Sequence, residues 1–436
     1  MNTIIIGGGW AGLAAAVELS RNDVNVTVLE SARQLGGRAR SVKFNSNHVD
    51  NGQHILLGAY TSILGMLETL NIPENKVFKR IPAFMEIMKS ANKAVTLKTP
   101  PLPAPFHLLS GLLRFKGLRM AHRVRILRAL ARMKRKRFTV SPDIPLSVFL
   151  KKTRQPMEAI DSFWEPLCVS VLNLPPDQAS TQLFVRVMKD AFFSSKEYSD
   201  MLLPITDLSA CLPEPAMDYI EQHGGTIQLG TRALGIAVNK GCISGVLTNE
   251  ASLIADNVII ATAPEACEQI LSPHPYLKDV ASNIHQLGSM PITTLYLQYA
   301  ESVSLPREFI GFMNSTTQWL FDRGRLTGEK GLMAAVVSGP GNHMKMDAQK
   351  LIDHIVREIA DYFPEWPSPL ETKLIREKRA TIAAVPGSDE LRPANATVIQ
   401  GLWLAGDYTA TGYPSTLEGA VRSGISCARQ ILKQVQ

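Results

Sequence analysis

Thr3-Ile4-Ile5-Ile6-Gly7-Gly8-Gly9-Trp10-Ala11-Gly12-Leu13 is the stretch that decides the fold. Thr3–Ile6 is short, apolar and β-branched, which predicts a buried strand. The glycine turn follows at once, and Leu13 to Leu19 has the Ala-rich composition of a helix. A second apolar run, Val24 to Leu29, ends in Glu30, eighteen residues past Gly12. Strand, Gly-x-Gly-x-x-Gly turn, helix, strand and acid together form the unit that binds a dinucleotide. Gly7 permits the tight turn, Gly9 lets backbone approach a pyrophosphate, and Gly12 lets helix and strand pack closely. The open helix N-terminus offers N–H groups and a positive dipole end to the anion. Glu30 can accept from both ribose hydroxyls and disfavours a 2′-phosphate, which argues against NADP.

Composition sets the bounds around this unit. At 436 residues the chain exceeds one compact core, so two domains are expected. A hydrophobic content of 45% with 19% charged residues suits a globular protein and excludes a disordered one. No run of eighteen apolar residues occurs, so no spanning helix is expected. Ala14-Ala15-Ala16 resembles a cleavage site, yet no basic region precedes it, so the chain reads as cytoplasmic. Cys168, Cys211, Cys242, Cys267 and Cys427 are scattered without a Cys-x-x-Cys, which points to reduced thiols and to no metal site.

A second glycine turn, Leu35-Gly36-Gly37-Arg38, extends the dinucleotide site, with a guanidinium suited to phosphate. From Ile4 to Arg38 the chain resembles the FAD-binding N-terminus of the amine-oxidase and phytoene-desaturase superfamily. In that superfamily an Asp-x-Gly strand end, here at Asp50, runs under the flavin ring. The fuller string Asp50-Asn51-Gly52-Gln53-His54, with Gly58-Ala59-Tyr60, resembles a narrower branch, the hydroxysqualene dehydroxylases of hopanoid biosynthesis. Trp164 to Asn173, mostly apolar, is similar to the same branch, and suits either a greasy cavity wall or ordinary core.

Between these motifs the charge changes character. Residues 82–100 read as strands, Pro100 to Pro105 as a stiff connector, and 145–204 as helices. No acid occurs from Ile87 to Pro142. Eleven cations lie between Arg114 and Arg137, more than the whole chain's net +7. At helical spacing Met120, Val124, Leu127 and Ala131 form an apolar stripe, with Ile126 outside it. Three readings compete: a solvated face, a helix resting on anionic lipid, and nucleic-acid binding. No stacking platform or DNA-binding motif accompanies the cations, so lipid is preferred and nucleic acid set aside.

The C-terminal half returns to the first domain. Pro213 to His223 reads as a helix, Thr226–Leu229 as a strand, and alternating strands follow to Ala263. By resemblance the backbone near Ala233 meets the adenine, although the family usually has valine there. Met290–Tyr299 resembles the floor of a substrate site, with Ile292 where amine oxidases carry a lysine. That difference counts against amine oxidation. Leu402 to Asp407 is a strand closing in Gly406-Asp407, and Thr416-Leu417 opens a helix. The resemblance implies that Asp407 holds the ribityl–pyrophosphate region and that the helix N-terminus at Leu417 faces the flavin C2 carbonyl. No cysteine lies in this loop, so a noncovalent flavin is expected.

The fold class expected is α/β: a Rossmann-like FAD domain of amine-oxidase type interleaved with an α+β substrate domain. FAD segments are expected at 1–80, 205–275 and 391–436. Substrate segments are expected at 81–204, including a basic helical region at 106–137, and at 276–390. The resemblance implies that Gly7, Gly9, Gly12, Glu30, Gly37, Arg38, Ala233, Gly406, Asp407 and Leu417 hold FAD. It further implies reduction of hydroxysqualene to squalene and water and a long-chain isoprenoid substrate, while the basic helical segment points to a peripheral place on the inner membrane face and to a squalene or prenyl synthase as partner. His54 is the candidate acid that protonates the leaving hydroxyl, with Asp50 or Gln53 orienting it and Tyr413 in reserve. A carotenoid-type desaturase and a non-catalytic flavin-bearing lipid carrier are the alternatives.

Overall fold

A computed structural model describes residues 1–44 and 47–435. Its organising layer is a five-stranded parallel sheet drawn from three separated parts of the chain. The order is Thr226–Leu229, Asn25–Glu30, Asn2–Ile6, Asn257–Ile260, Leu402–Leu404. Asn2–Ile6, Asn257–Ile260 and Leu402–Leu404 are short, largely buried apolar runs, as parallel strands between helices must be, while the edge strand Thr226–Leu229 is exposed at both ends. On one face pack the helices Trp10–Ser20, Pro213–Gln222 and Leu417–Val435. Trp10–Ser20 is buried all round because the C-terminal helix covers its outer side. A Cβ at Gly424 would stand 2.1 Å from the Ala11 carbonyl oxygen, so only glycine permits that approach. The opposite face carries an antiparallel three-stranded sheet, Ala233–Asn239, Cys242–Thr248 and Ser252–Ile254, and the helices Pro264–Leu271 and Lys278–Gln286.

A second layer is a seven-stranded mixed sheet from residues 84–98 and 289–382. Its order is Glu371–Ile382, Ser289–Gln298, Leu332–Ser338, Trp319–Asp322, Phe309–Phe312, Phe84–Ser90, Lys93–Lys98. Every neighbouring pair is antiparallel except Phe309–Phe312 against Phe84–Ser90. One face holds the amphipathic helix Ala348–Tyr362, which buries Leu351, Ile355 and Ile359 at helical spacing. The other packs against a helical layer between residues 106 and 193. The observed class is the α/β fold expected from the sequence.

Two expectations are corrected. Residues 145–204 are not helical to their end: Met201–Pro204 is a strand between Leu56–Leu57 and Phe78–Ile81. That small sheet joins residues on both sides of the boundaries expected at 80/81 and 204/205, and Phe78 and Leu202 sit in the first domain's core. Strands of two to four residues carry no readable period. In the basic helix Met120–Arg135 the buried face is Ile126, Ala129, Leu130 and Met133. Of the stripe expected from Met120, Val124, Leu127 and Ala131, Leu127 packs against the edge of the core, Val124 is half-buried, and Met120 and Ala131 are exposed. Two apolar rows lie side by side on this helix, and the larger Ile126, Leu130 and Met133 fill the interior.

Candidate functional site

The site begins where Asn2–Ile6 ends. Gly7 turns the chain at φ +113°, a conformation that side chains resist. Below it, a Cβ at Gly12 would stand 2.0 Å from the Gly7 carbonyl oxygen, so Gly12 supports the turn without lining the cavity. Gly9 precedes Trp10–Ser20 with no side-chain cap, which leaves the first-turn N–H groups to the cavity. Gly9 bridges to Gly36, and the Trp10 indole N–H donates to the Ala39 carbonyl at 3.1 Å, so the two glycine turns are locked together. The Glu30 carboxylate is clamped on the wall by the Gly8 and Ala32 amides, at 2.8 and 2.7 Å.

From this cradle a cavity of about 1000 Å³ runs into the second domain. Gly7, Gly9, Glu30, Gly37, Arg38, Ala233, Gly406, Asp407 and Leu417 all line it. Arg38 donates to the Asp407 carboxylate and, at 3.0 Å, to the Ala380 carbonyl. Ser415 donates to the other Asp407 oxygen. The helix Leu417–Val435 opens onto the cavity with Ser415, Thr416 and Leu417 at its mouth. An uncapped helix end, a glycine cradle and an oriented acid fit a dinucleotide.

Beyond the cradle the walls become apolar: Val169, Val171, Ile292, Trp319, Phe321 and Val336. Ile292 lies on this wall, and no lysine lines the cavity among the described residues. Gln53 and His54 line the same cavity where cradle and chamber meet: the adjoining Asn51 donates to the Arg38 carbonyl in the cradle, and Arg323 of the second domain donates to Gln53. Asp50, fully buried, does not reach it. Its Oδ1 accepts from the Leu208 amide at 2.7 Å and its carbonyl from the Tyr296 hydroxyl at 2.8 Å.

These placements correct the expected roles. Neither Asp50 nor Gln53 hydrogen-bonds His54. The Gln53 Oε1 accepts instead from Arg323 at 3.3 Å, and the His54 Nδ1 has no partner among the described residues. Tyr413 does not line the cavity. It is buried behind Tyr60, ring centroids 6.3 Å apart at 75°, with the Arg422 guanidinium over its face. Burial, which penalises the charged form, pushes the Asp50 carboxyl up to about 7 and the His54 imidazole down to about 4. At neutral pH His54 is therefore uncharged, and a neutral imidazole is no acid. It becomes one when a negative charge shares the cavity, because an opposite charge favours imidazolium.

Three buried charges escaped the sequence reading. Arg323, 1% exposed, lies among Gln53, Glu329 and Asp50. Arg392 donates to the Asp407 and Tyr413 carbonyls and so shapes the polar loop. Glu418 accepts from the Ser62 and Ile63 amides at the start of the helix Thr61–Thr69. Arg323 meets Gln53 and Glu418 meets Ser62 and Ile63 across hundreds of positions, so no local pattern announces those contacts.

A family described as flavin containing amine oxidoreductase matches residues 10–432. The chain is 28% identical to a hydroxysqualene dehydroxylase of Rhodopseudomonas palustris, over 98% of this chain and 97% of that protein. It is 22% identical to a 15-cis-phytoene desaturase of Solanum lycopersicum, over 100% of this chain and 78% of that protein. An oxidoreductase from Methanosarcina mazei, 16% identical, shares the fold with a TM-score of 0.79, over 98% of this chain and 100% of that one.

Proposed function

The chain belongs to the flavin-containing amine oxidoreductases, a family of flavin-dependent enzymes, and we propose that it reduces hydroxysqualene to squalene and water with noncovalent FAD. One observation carries this reading. A single cavity joins the dinucleotide cradle to an apolar chamber, with Gln53 and His54 where the two meet. The chamber suits a long hydrocarbon, and the polar junction suits its one hydroxyl. Ile292 on the wall argues against amine oxidation.

Replacing hydroxyl by hydrogen consumes one hydride and one proton and releases water. Bound reduced FAD supplies the hydride. The chain's own residues exclude water with the apolar walls, orient the isoprenoid, and manage the proton. His54 is the ionisable junction side chain that lines the cavity. It holds a proton only when an anionic group nearby offsets its burial.

Similarity to phytoene desaturases favours a second reading, in which hydride runs from a polyene precursor to oxidised flavin. One anaerobic experiment separates the two. Chemically reduced protein is mixed with hydroxysqualene, oxidised protein with phytoene, and the lipids are extracted and analysed. Squalene from the first mixture supports the dehydroxylase. A desaturated product from the second, with no squalene from the first, overturns it.

A further inference from the structure

The chain's outer surface is uneven in an informative way. Phe106 is 61% exposed, Leu113 46%, Met120 56% and Met157 68%. Leu102 and Val148 are exposed as well, so six large exposed apolar side chains fall between residues 102 and 157, the others being scattered over the rest of the surface. Local contacts bring them together. Phe106 and Leu113 are seven residues apart on the helix Phe106–Leu113, and so share a face. The Arg123 side chain donates to the Leu113 and Leu118 carbonyls, at 2.7 Å each, and ties that helix to the first turn of Met120–Arg135. His122 meets Glu158 at 2.9 Å, which brings Met157 beside the same turn.

Around these side chains cations predominate. Arg114, Lys116 and Arg119 are exposed between Leu113 and Met120, and Lys151, Lys152 and Arg154 are exposed just before Met157. Of the acids close by, Glu158 is occupied by Lys89 at 2.9 Å and by His122, and Asp161 is half-buried near the same Lys89. The helix Met120–Arg135 buries the row Ile126, Ala129, Leu130 and Met133. Its first turn leaves Met120 exposed, close in sequence to the exposed cations Arg114, Lys116 and Arg119.

We propose that this face, built from Phe106, Leu113, Met120 and Met157, docks the protein on an anionic lipid bilayer. The apolar side chains enter the acyl boundary, and Arg114, Lys116, Arg119 and the lysines before Met157 pair with lipid phosphates. Water contact with four large apolar side chains is unfavourable until the acyl boundary covers them. A nucleic acid satisfies the cations and leaves those side chains wet. The assignment rests on surface chemistry and is independent of the substrate reading.

Full-length, flavin-loaded protein is floated with vesicles of phosphatidylcholine alone, and of phosphatidylcholine with phosphatidylglycerol, over a series of salt concentrations. Binding is expected to the anionic vesicles and to weaken as salt rises. F106S/M157S changes two exposed side chains, so the fold and the flavin spectrum should stay the same. Its affinity should fall about tenfold or more, with the salt dependence kept. R114E/K116E/R119E should lose the salt-dependent part. Equal binding to neutral vesicles overturns the electrostatic half, and unchanged binding by F106S/M157S overturns the insertion. Binding to a DNA duplex with none to either vesicle overturns the whole.

Discussion

Arg38 and Asp407, 369 positions apart, form an ion pair on the wall of the dinucleotide cradle. The second glycine turn is thereby tied to the loop that precedes the last helix, and both side chains are held in place before any ligand arrives. Asp407 is fixed further by Ser415, and its carbonyl by Arg392. Removing Arg38 leaves the Asp407 carboxylate short of a charged donor where phosphate is to sit.

Arg38→Met should therefore bind flavin roughly tenfold to a hundredfold more weakly, the cost of about one charge-assisted hydrogen bond. Unmodified protein should purify yellow and release its flavin as FAD on acid precipitation. Colour retained in the pellet contradicts the noncovalent assignment. Full flavin content in Arg38→Met removes Arg38 from the cradle.

Asp50 and His54 should leave opposite marks on stability. Folded Asp50 keeps its proton from its ordinary 3.8 up to about 7, where the unfolded chain has lost it. Its contribution is thus fully present below pH 4 and disappears as pH rises through 7. Folded His54 refuses a proton between 6.5 and about 4, where the unfolded chain takes one. Its contribution disappears as pH falls through that window. Asp50→Asn should remove the first decline and gain on the order of a few kcal/mol above pH 7. His54→Gln should remove the second. Chemical denaturation across pH 4 to 8 measures both, and curves parallel to the parent protein's for both variants would refute the assignment.

His54→Ala tests the proton. With its flavin spectrum and lipid affinity intact, it should lose about a hundredfold to ten-thousandfold in turnover. Anaerobic single-turnover reoxidation of reduced protein by hydroxysqualene, followed by absorbance, gives the rate. Near-normal reoxidation at full flavin content would take His54 out of the mechanism. Loss of flavin together with rate would mark it as a structural support.

Arg323→Met should be costly although Arg323 touches no cavity surface. It strips a charged donor from Gln53 and Glu329 and leaves Glu329 with the Thr327 hydroxyl alone. Breaking a buried charge pair costs about 3–5 kcal/mol, less here because both contacts are long. Denaturant midpoints measure the loss, and Glu329→Gln in the same background should recover part of it. An unchanged midpoint in Arg323→Met would show that solvent reaches Glu329 and replaces the guanidinium.

Much of the fold was legible because its determinants are local. Strand, glycine turn, helix and acid lie within the first thirty residues, and Gly7 and Gly12 answer backbone demands set within a few residues. The same holds for the strand Leu402–Leu404 and the helix that follows its polar loop. Packing decided the rest. Asp50, Gln53 and His54 are neighbours in sequence, yet one is buried behind the cavity and two line it. The Asp50 side chain is held by the Leu208 amide, its backbone by Tyr296, and the Gln53 side chain by Arg323, 270 positions away. The same packing turned the apolar stripe of Met120–Arg135, exposed Met120, and drew Met201–Pro204 into a sheet. Backbone geometry is set by residues within a turn or two. Burial, and with it the charge state of Asp50 and His54, depends on everything the fold brings within a few ångströms.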